Sequence, residues 1–143
     1  MAKPLSSPYK LEDQVGHLLR RANQRHAAIF FEGLGGKQLT PLQFAVLVKI
    51  GDEGEVSQNL LGRLTAMDPA TVQGVVRRLR ERKLIDARPD PKDRRRSLWK
   101  LSPAGTQFIR DVIPAAEAIT EKTLASLSIK EKKTLLEILR KLS

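Results

Sequence analysis

The chain has 143 residues, 41% hydrophobic and 29% charged. That is enough for one domain with an ordinary core, or one domain plus dimerisation arms, and too apolar for a disordered chain. Its formal charge of +10 favours a polyanionic partner, nucleic acid or an acidic membrane surface, while the absence of cysteine excludes disulfides, a thiol switch and a cysteine nucleophile.

Two histidines, His17 and His26, lie outside any metal-ligand spacing, so no metal and no cofactor is expected. The opening MAKPLSSPYK has no apolar run of the kind a secretory signal needs. No segment approaches the roughly 18 apolar residues of a membrane span, so no membrane partner is expected and the expected location is cytoplasmic.

In chain order, residues 1–9 carry two prolines and two serines and read as a flexible arm. From Lys10 to about Phe31, apolar residues at Leu11, Val15, Leu18, Leu19, Ala22, Ile29 and Phe30 fit a helix with one buried stripe, ended by Gly33, Gly35 and Gly36. Thr40-Pro41 opens a second helix, with threonine as N-cap and proline at the first helical position. It carries Phe44, Val46, Leu47 and Ile50 and stops near Gly51 and Gly54. Ser57 caps a short helix with Leu60, Leu61 and Leu64, and Asp68-Pro69 starts the next, which runs to about Lys83. Two short helices joined by a tight turn fit a helix-turn-helix.

Leu84 to Arg88 reads as a strand, Pro89 to Arg96 as a polar turn, and Leu98, Trp99 and Leu101 as the return strand: a wing in which Trp99 supports the hairpin. Ser102-Pro103 starts a long helix with Phe108, Ile109, Val112, Ile113, Ile119 and Leu124, interrupted or kinked near Pro114. Ser128 opens the last helix, with Leu135, Ile138, Leu139 and Leu142.

Between Arg77 and Arg96 stand ten basic and four acidic residues, so this window alone holds +6 of the formal +10. A helix followed by a cationic hairpin can fill a major groove while the hairpin reaches the neighbouring backbone, which makes double-stranded DNA the first partner to consider. The apolar stripes near residues 11–30 and 108–142 lie outside the winged unit. They bury their faces on each other, on a second copy of the chain, or on both. A second copy suits a DNA reader, because two-fold symmetry sets two recognition helices about 34 Å apart.

Three segments resemble the MarR family of bacterial transcriptional regulators. Leu39-Thr-Pro-Leu-Gln-Phe-Ala-Val-Leu47 is similar to the family's LTxxQFxVL helix. Asp68-Pro-Ala-Thr-Val-Gln-Gly-Val-Val-Arg-Arg-Leu79 resembles its recognition helix, and Asp90 to Gly105 its DxR…LTxxG wing. The chain departs from the pattern at Lys83, where glycine is frequent, at Arg77, where an acid is common, and at Ser102, where threonine is usual.

The resemblance implies a mainly α fold: a winged helix-turn-helix with a two-stranded β wing, plus N- and C-terminal helices that form a dimerisation domain. The corresponding division is an arm at 1–9, an N-terminal dimerisation and effector helix at 10–36, the DNA-binding domain at 37–102 and C-terminal dimerisation helices at 103–143.

The expected DNA face comprises Pro69, Ala70, Thr71, Gln73 and Gly74 in the first two helical turns, with Arg77 and Arg78 reaching phosphates. Gln73 can pair bidentately with adenine, and Ala70 or the Thr71 methyl can meet a thymine methyl. Thr71 has packing or capping as its alternative. In the wing, the resemblance implies that Arg95 enters or overlies the minor groove while Asp93 orients a neighbouring arginine. Arg94 and Arg96 are then backbone contacts or solvated spares.

The family also implies an effector, a small aromatic carboxylate or a phenol, bound between the dimerisation helices and the winged domain. His17, Arg20, Arg21, His26 and Phe44 are its expected contacts. The strong alternative reads the histidines as ordinary dimer-interface residues and Arg20 as the partner of an acid. The stretch PYKLEDQVGHLLRRANQRHAAIFFE resembles repressors of nicotinate catabolism within the family, which implies a hydroxylated pyridine carboxylate.

The expected function is thus a homodimeric repressor released from a pseudo-palindromic operator by a small aromatic acid. The alternative is a constitutive or architectural DNA-binding protein with no effector. No Gly-rich phosphate loop, nucleophile elbow or triad supports an enzyme. An RNA role lacks a stacking platform, since Phe30, Phe31, Phe44 and Phe108 fall on apolar stripes.

Overall fold

The computed structural model describes residues 1–143. Six α-helices and a three-stranded antiparallel sheet follow one another as α1 (Val15–Leu34), α2 (Pro41–Glu53), β1 (Val56–Ser57), α3 (Gln58–Leu64), α4 (Pro69–Glu81), β2 (Ile85–Asp90), β3 (Asp93–Leu101), α5 (Pro103–Thr123) and α6 (Ile129–Lys141). Single 3₁₀ turns at Leu11–Asp13 and Gly35–Lys37 flank α1.

Local chemistry starts most of these helices. Thr40 and Gln43 form a reciprocal capping box at α2 (3.1 and 3.2 Å). Ser57, Asp68 and Ser102 each accept the backbone N–H three residues on, and Pro69 and Pro103 occupy first helical positions where no N–H is needed.

The core lies where α2, α3 and α4 meet the sheet and α5. Val46, Leu47, Ile50, Leu61, Val72, Leu79 and Ile85 are sealed from solvent. Burying such a side chain contributes about 1.5–3 kcal/mol, so these residues hold α4 against the domain. Gly105 sits where α5 crosses the turn after α4, and a Cβ there would overlap the Leu84 carbonyl oxygen.

Several sequence expectations change. The wing strands run further than the hydrophobic pattern suggests: the polar stretch 89–96 is mostly strand, and only Pro91 and Lys92 turn. Backbone pairing needs no apolar alternation, so the arginines lie on β3 itself. A third strand, Val56–Ser57, pairs with Leu98 and Trp99, too short to leave a periodic signal. Helix α5 continues through Pro114, because Val112 and Ile119 on either side are buried.

Lys83 takes φ +59°, so the turn ending α4 keeps the left-handed form that glycine would supply. The N–H groups of Lys83 and Leu84 close it on Arg80 O (2.9 Å) and Leu79 O (3.1 Å).

The apolar stripe of α1 divides in two. Its C-terminal half, Phe30 and Leu34, is buried along α5. Its N-terminal half is not: Leu11, Val15, Leu18 and Leu19 are all about half exposed or more. Phe31, expected on the buried stripe, is 74% exposed. Helix α6 buries no residue and presents Leu136, Ile138, Leu139 and Leu142 to solvent.

Candidate nucleic-acid interface and the adjoining cleft

Helix α4 packs Val72, Val75, Val76 and Leu79 inward, which turns Pro69, Ala70, Gln73, Arg77 and Arg78 outward as one exposed surface. Asp68 caps its start through Thr71 N–H (2.8 Å), and the Thr71 hydroxyl donates to the other carboxylate oxygen (2.7 Å). The two Thr71 bonds hold the Asp68 carboxyl below its ordinary value. Thr71 is therefore committed to the cap, with its methyl left over for a partner. A Cβ added to Gly74 would meet nothing within 4 Å, so nothing in this chain requires a glycine there.

The basic residues sort into two groups. Arg88 pairs bidentately with Glu55 across the sheet edge, which lowers the Glu55 pKa and raises that of Arg88. Arg82 donates to the carbonyls of Gln38 (2.8 Å) and Lys37 (3.1 Å) and lies over the Phe108 ring at 5.4 Å. Arg80 lies over Trp99 at 5.8 Å. By contrast, Arg77, Arg78, Arg94 and Arg96 are exposed and enter no salt bridge within the chain.

In the wing, Asp93 Oδ1 accepts from both the backbone N–H (3.1 Å) and Nε (3.3 Å) of Arg95. The arginine it orients is Arg95 itself, whose side chain stays 92% exposed. Trp99 is buried, with 6% of its surface exposed, and donates its indole N–H to Gln58 Oε1 at 3.3 Å, tying the wing to α3.

A cleft of about 600 Å³ opens between the outer face of α4, the start of α2 and the middle of α1. His26 lines it together with Thr71, Ala70, Gly74, Arg77 and Arg78, and no acidic residue takes part. Candidate DNA residues and a candidate effector residue thus share one wall.

His26 also bonds the Thr123 hydroxyl through Nδ1 (2.9 Å), while the Thr123 hydroxyl donates to Ile119 O (2.8 Å). With that hydroxyl proton spent, Nδ1 takes the donor role in the His26–Thr123 bond. Next to it, Arg25 covers the carbonyls that end α5, Thr123 O at 2.6 Å and Lys122 O at 3.3 Å.

The other expected effector residues fall elsewhere. His17, Arg20 and Arg21 lie nearer the start of α1, outside the cleft wall. Phe44 stands edge-on to Phe30 with centroids 6.1 Å apart, behind an adjoining pocket of about 470 Å³ that Phe30, Phe31 and Arg78 line. Asn23 and Ala27 also line the cleft, outside the expected contacts, as do Thr40 and Pro41 from the start of α2. Helical spacing finds the first two: Asn23 lies at i−3 from His26, and Ala27 at i+4 from Asn23.

Comparison with known proteins gives one consistent family. The MarR family profile matches residues 37–96. The chain is 42% identical over 137 residues to the HTH-type transcriptional repressor NicR of Pseudomonas putida, covering 96% of this chain and 87% of that protein. A crystal structure of a probable transcriptional regulator from Pseudomonas aeruginosa superposes with a TM-score of 0.91 at 50% identity, over 94% of this chain and all of that one. Bordetella bronchiseptica BpsR, whose DNA binding is regulated by 6-hydroxynicotinic acid, superposes with a TM-score of 0.91 at 43% identity, over 95% of this chain and 97% of its own.

Proposed function

The chain belongs to the MarR family; on that premise we propose that it is a transcriptional repressor that acts as a homodimer on a pseudo-palindromic operator and is released by a small aromatic acid. The observation that carries the reading is the shared wall. Ala70, Gly74, Arg77 and Arg78 belong both to the outward surface of α4 and to the cleft beside His26.

In the DNA-bound state, α4 lies in the major groove with Gln73 at base edges, and Arg77 and Arg78 hold phosphates. Arg95, steadied by Asp93, meets the adjacent minor groove. In the effector-bound state, an anionic ring fills the cleft. Its carboxylate takes a guanidinium of α4, while Ala27, Pro41 and Val75 supply the apolar wall. The same arginine cannot serve both anions well, and a ring wedged between α1 and α4 resets the angle at which α4 is presented.

A hydroxylated pyridine carboxylate is the effector chemistry we favour, supported by the likeness to BpsR. Dimerisation is supported by the unburied faces of α6 and the N-terminal half of α1. These divide the chain, in function, into the arm at 1–9, α1 and its flanks at 10–36, the DNA-binding unit at 37–102 and the C-terminal helices at 103–143.

Footprinting on the DNA upstream of its own coding region tests the arrangement. Two protected segments about one helical turn, or roughly 34 Å, apart are expected, with sedimentation at twice the chain mass. A lone protected half-site, or a monomer bound at full affinity, would contradict it.

A further inference from the structure

Beside the wing lies a small pocket of about 260 Å³, lined by Ser57, Gln58, Asn59, Arg95, Arg96 and Ser97. None of the six is acidic or apolar, and of the two arginines Arg95 is paired with Asp93 while Arg96 enters no salt bridge within the chain. Hydrogen bonding around the pocket fixes which way its groups point. The Trp99 indole can only donate, and it engages Gln58 through Oε1 at 3.3 Å. The Gln58 amide nitrogen is thereby turned away from Trp99 with both of its protons unspent. Ser57 Oγ accepts from Leu60 N–H (3.3 Å) and keeps its own proton. On the facing strand, Asp93 takes the backbone N–H and Nε of Arg95, the arginine assigned above to the minor groove, so Arg96 is the lining cation left for the pocket.

We propose that this pocket seats one DNA backbone phosphate per subunit, held between α3 and the wing strand, and that Trp99 is a positioning residue that keeps the Gln58 amide pointing donor-outward. The inference rests on the DNA-binding reading above and adds to it a contact that neither the recognition helix nor the wing tip supplies. A phosphate fits because it offers acceptors alone, and the unspent Gln58 amide protons, the Ser57 hydroxyl and Arg96 are donors to meet them. A base edge in the major groove mixes donors with acceptors. The seat is made by side chains, since Leu60 N–H at the start of α3 is already bonded to Ser57. It flanks α4 on the wing side, where the duplex backbone passes when a recognition helix and a wing occupy neighbouring grooves.

The test is the salt dependence of binding by the full chain to the duplex upstream of its own coding region. Each neutralised phosphate adds about −0.9 to the slope of log affinity against log salt. Losing one seat in each half of a dimer flattens the slope by about 1.8, so the deficit of a variant relative to wild type shrinks roughly 12-fold between about 50 and 200 mM salt.

Gln58→Met removes the donors, and Trp99→Phe leaves Gln58 in place but unheld. Both are expected to bind more weakly at low salt with a flattened slope. Gln58→Glu keeps the oxygen for Trp99 and sets a carboxylate against the phosphate. It is expected to show the largest loss, and it decides the matter should the other two fail to fold. Weaker binding with an unchanged slope in these variants would mean a purely structural role and overturn the seat, while leaving the DNA reading intact. A wild-type chain with no salt-sensitive binding would overturn that reading and the seat with it.

Discussion

Replacing Gly74 by alanine should raise stability and lower DNA affinity together. Gly74 lies inside α4 with ordinary helical neighbours, and an added Cβ finds nothing within 4 Å. Glycine inside a helix costs about 0.8–1 kcal/mol relative to alanine, so the substitution returns roughly that amount. Unfolding entropies near 2.1 cal/mol/K per residue give about 0.3 kcal/mol/K for a chain of this length, hence a rise of about 3 °C in the melting temperature.

The open space beside Gly74 is the outer surface of α4 and the cleft wall. If the groove floor comes against that backbone, the methyl overpacks the contact. Overpacking costs about 1–3 kcal/mol, which is a loss of roughly 5- to 150-fold in affinity. Calorimetry and a binding titration on the same preparation separate the two effects. A variant that is more stable and binds as tightly as wild type would show that DNA does not approach this face of α4. No gain in melting temperature would refute the claim that the fold has no use for a glycine at this position.

Three further outcomes follow from the same geometry. Lys83→Gly should stabilise the chain by about 1 kcal/mol by relieving the positive φ, whereas Lys83→Ala, which keeps a Cβ, should gain little in chemical denaturation; equal gains would implicate the charge instead. Arg95→Ala should weaken operator binding without altering sedimentation, and unchanged affinity in a titration would remove the wing from the interface. Asp68, Glu55 and Glu131 all have carboxyls lowered by hydrogen bonds in the folded chain, from Thr71, Arg88 and Ser128 respectively. Their contribution is present in full above the ordinary carboxylate range near 4 and is lost as pH falls through the lower folded values. Asp68→Asn, which caps without titrating, should make acid unfolding less steep, and an unchanged acid limb would contradict the cap assignment.

What the sequence discloses follows the range of the forces involved. The starts of α2, α4 and α5 are written in two adjacent residues each, Thr40-Pro41, Asp68-Pro69 and Ser102-Pro103, because capping is settled within one turn. The full length of β2 and β3 is not legible there. It depends on pairings such as Pro89 with Ser97, which carry no apolar alternation. Likewise, α5 passes through Pro114 because α1 packs along it, a contact between segments far apart in the chain. The turn at Lys83 shows the opposite case, in which a residue poorly suited to a left-handed conformation adopts it because Ser102 donates its hydroxyl to Lys83 O (2.7 Å) and its N–H to Leu84 O (3.0 Å).

The candidate DNA surface was largely readable, since α4 and the wing are contiguous and their charge is local. The cleft was not. Only His26 of the five expected effector residues lines it, because its walls come from α1, α2 and α4, and no sequence pattern fixes how those three meet.

The most direct test of the account is an anisotropy titration of 6-hydroxynicotinic acid into the complex of the protein with its own upstream duplex, with nicotinic acid and benzoic acid alongside. The duplex is expected to be released by 6-hydroxynicotinic acid, and substituting His26 in the cleft to shift the midpoint without lowering DNA affinity to the same degree. A complex that forms tightly and survives saturating amounts of all three acids would contradict it and leave a constitutive DNA-binding protein in its place.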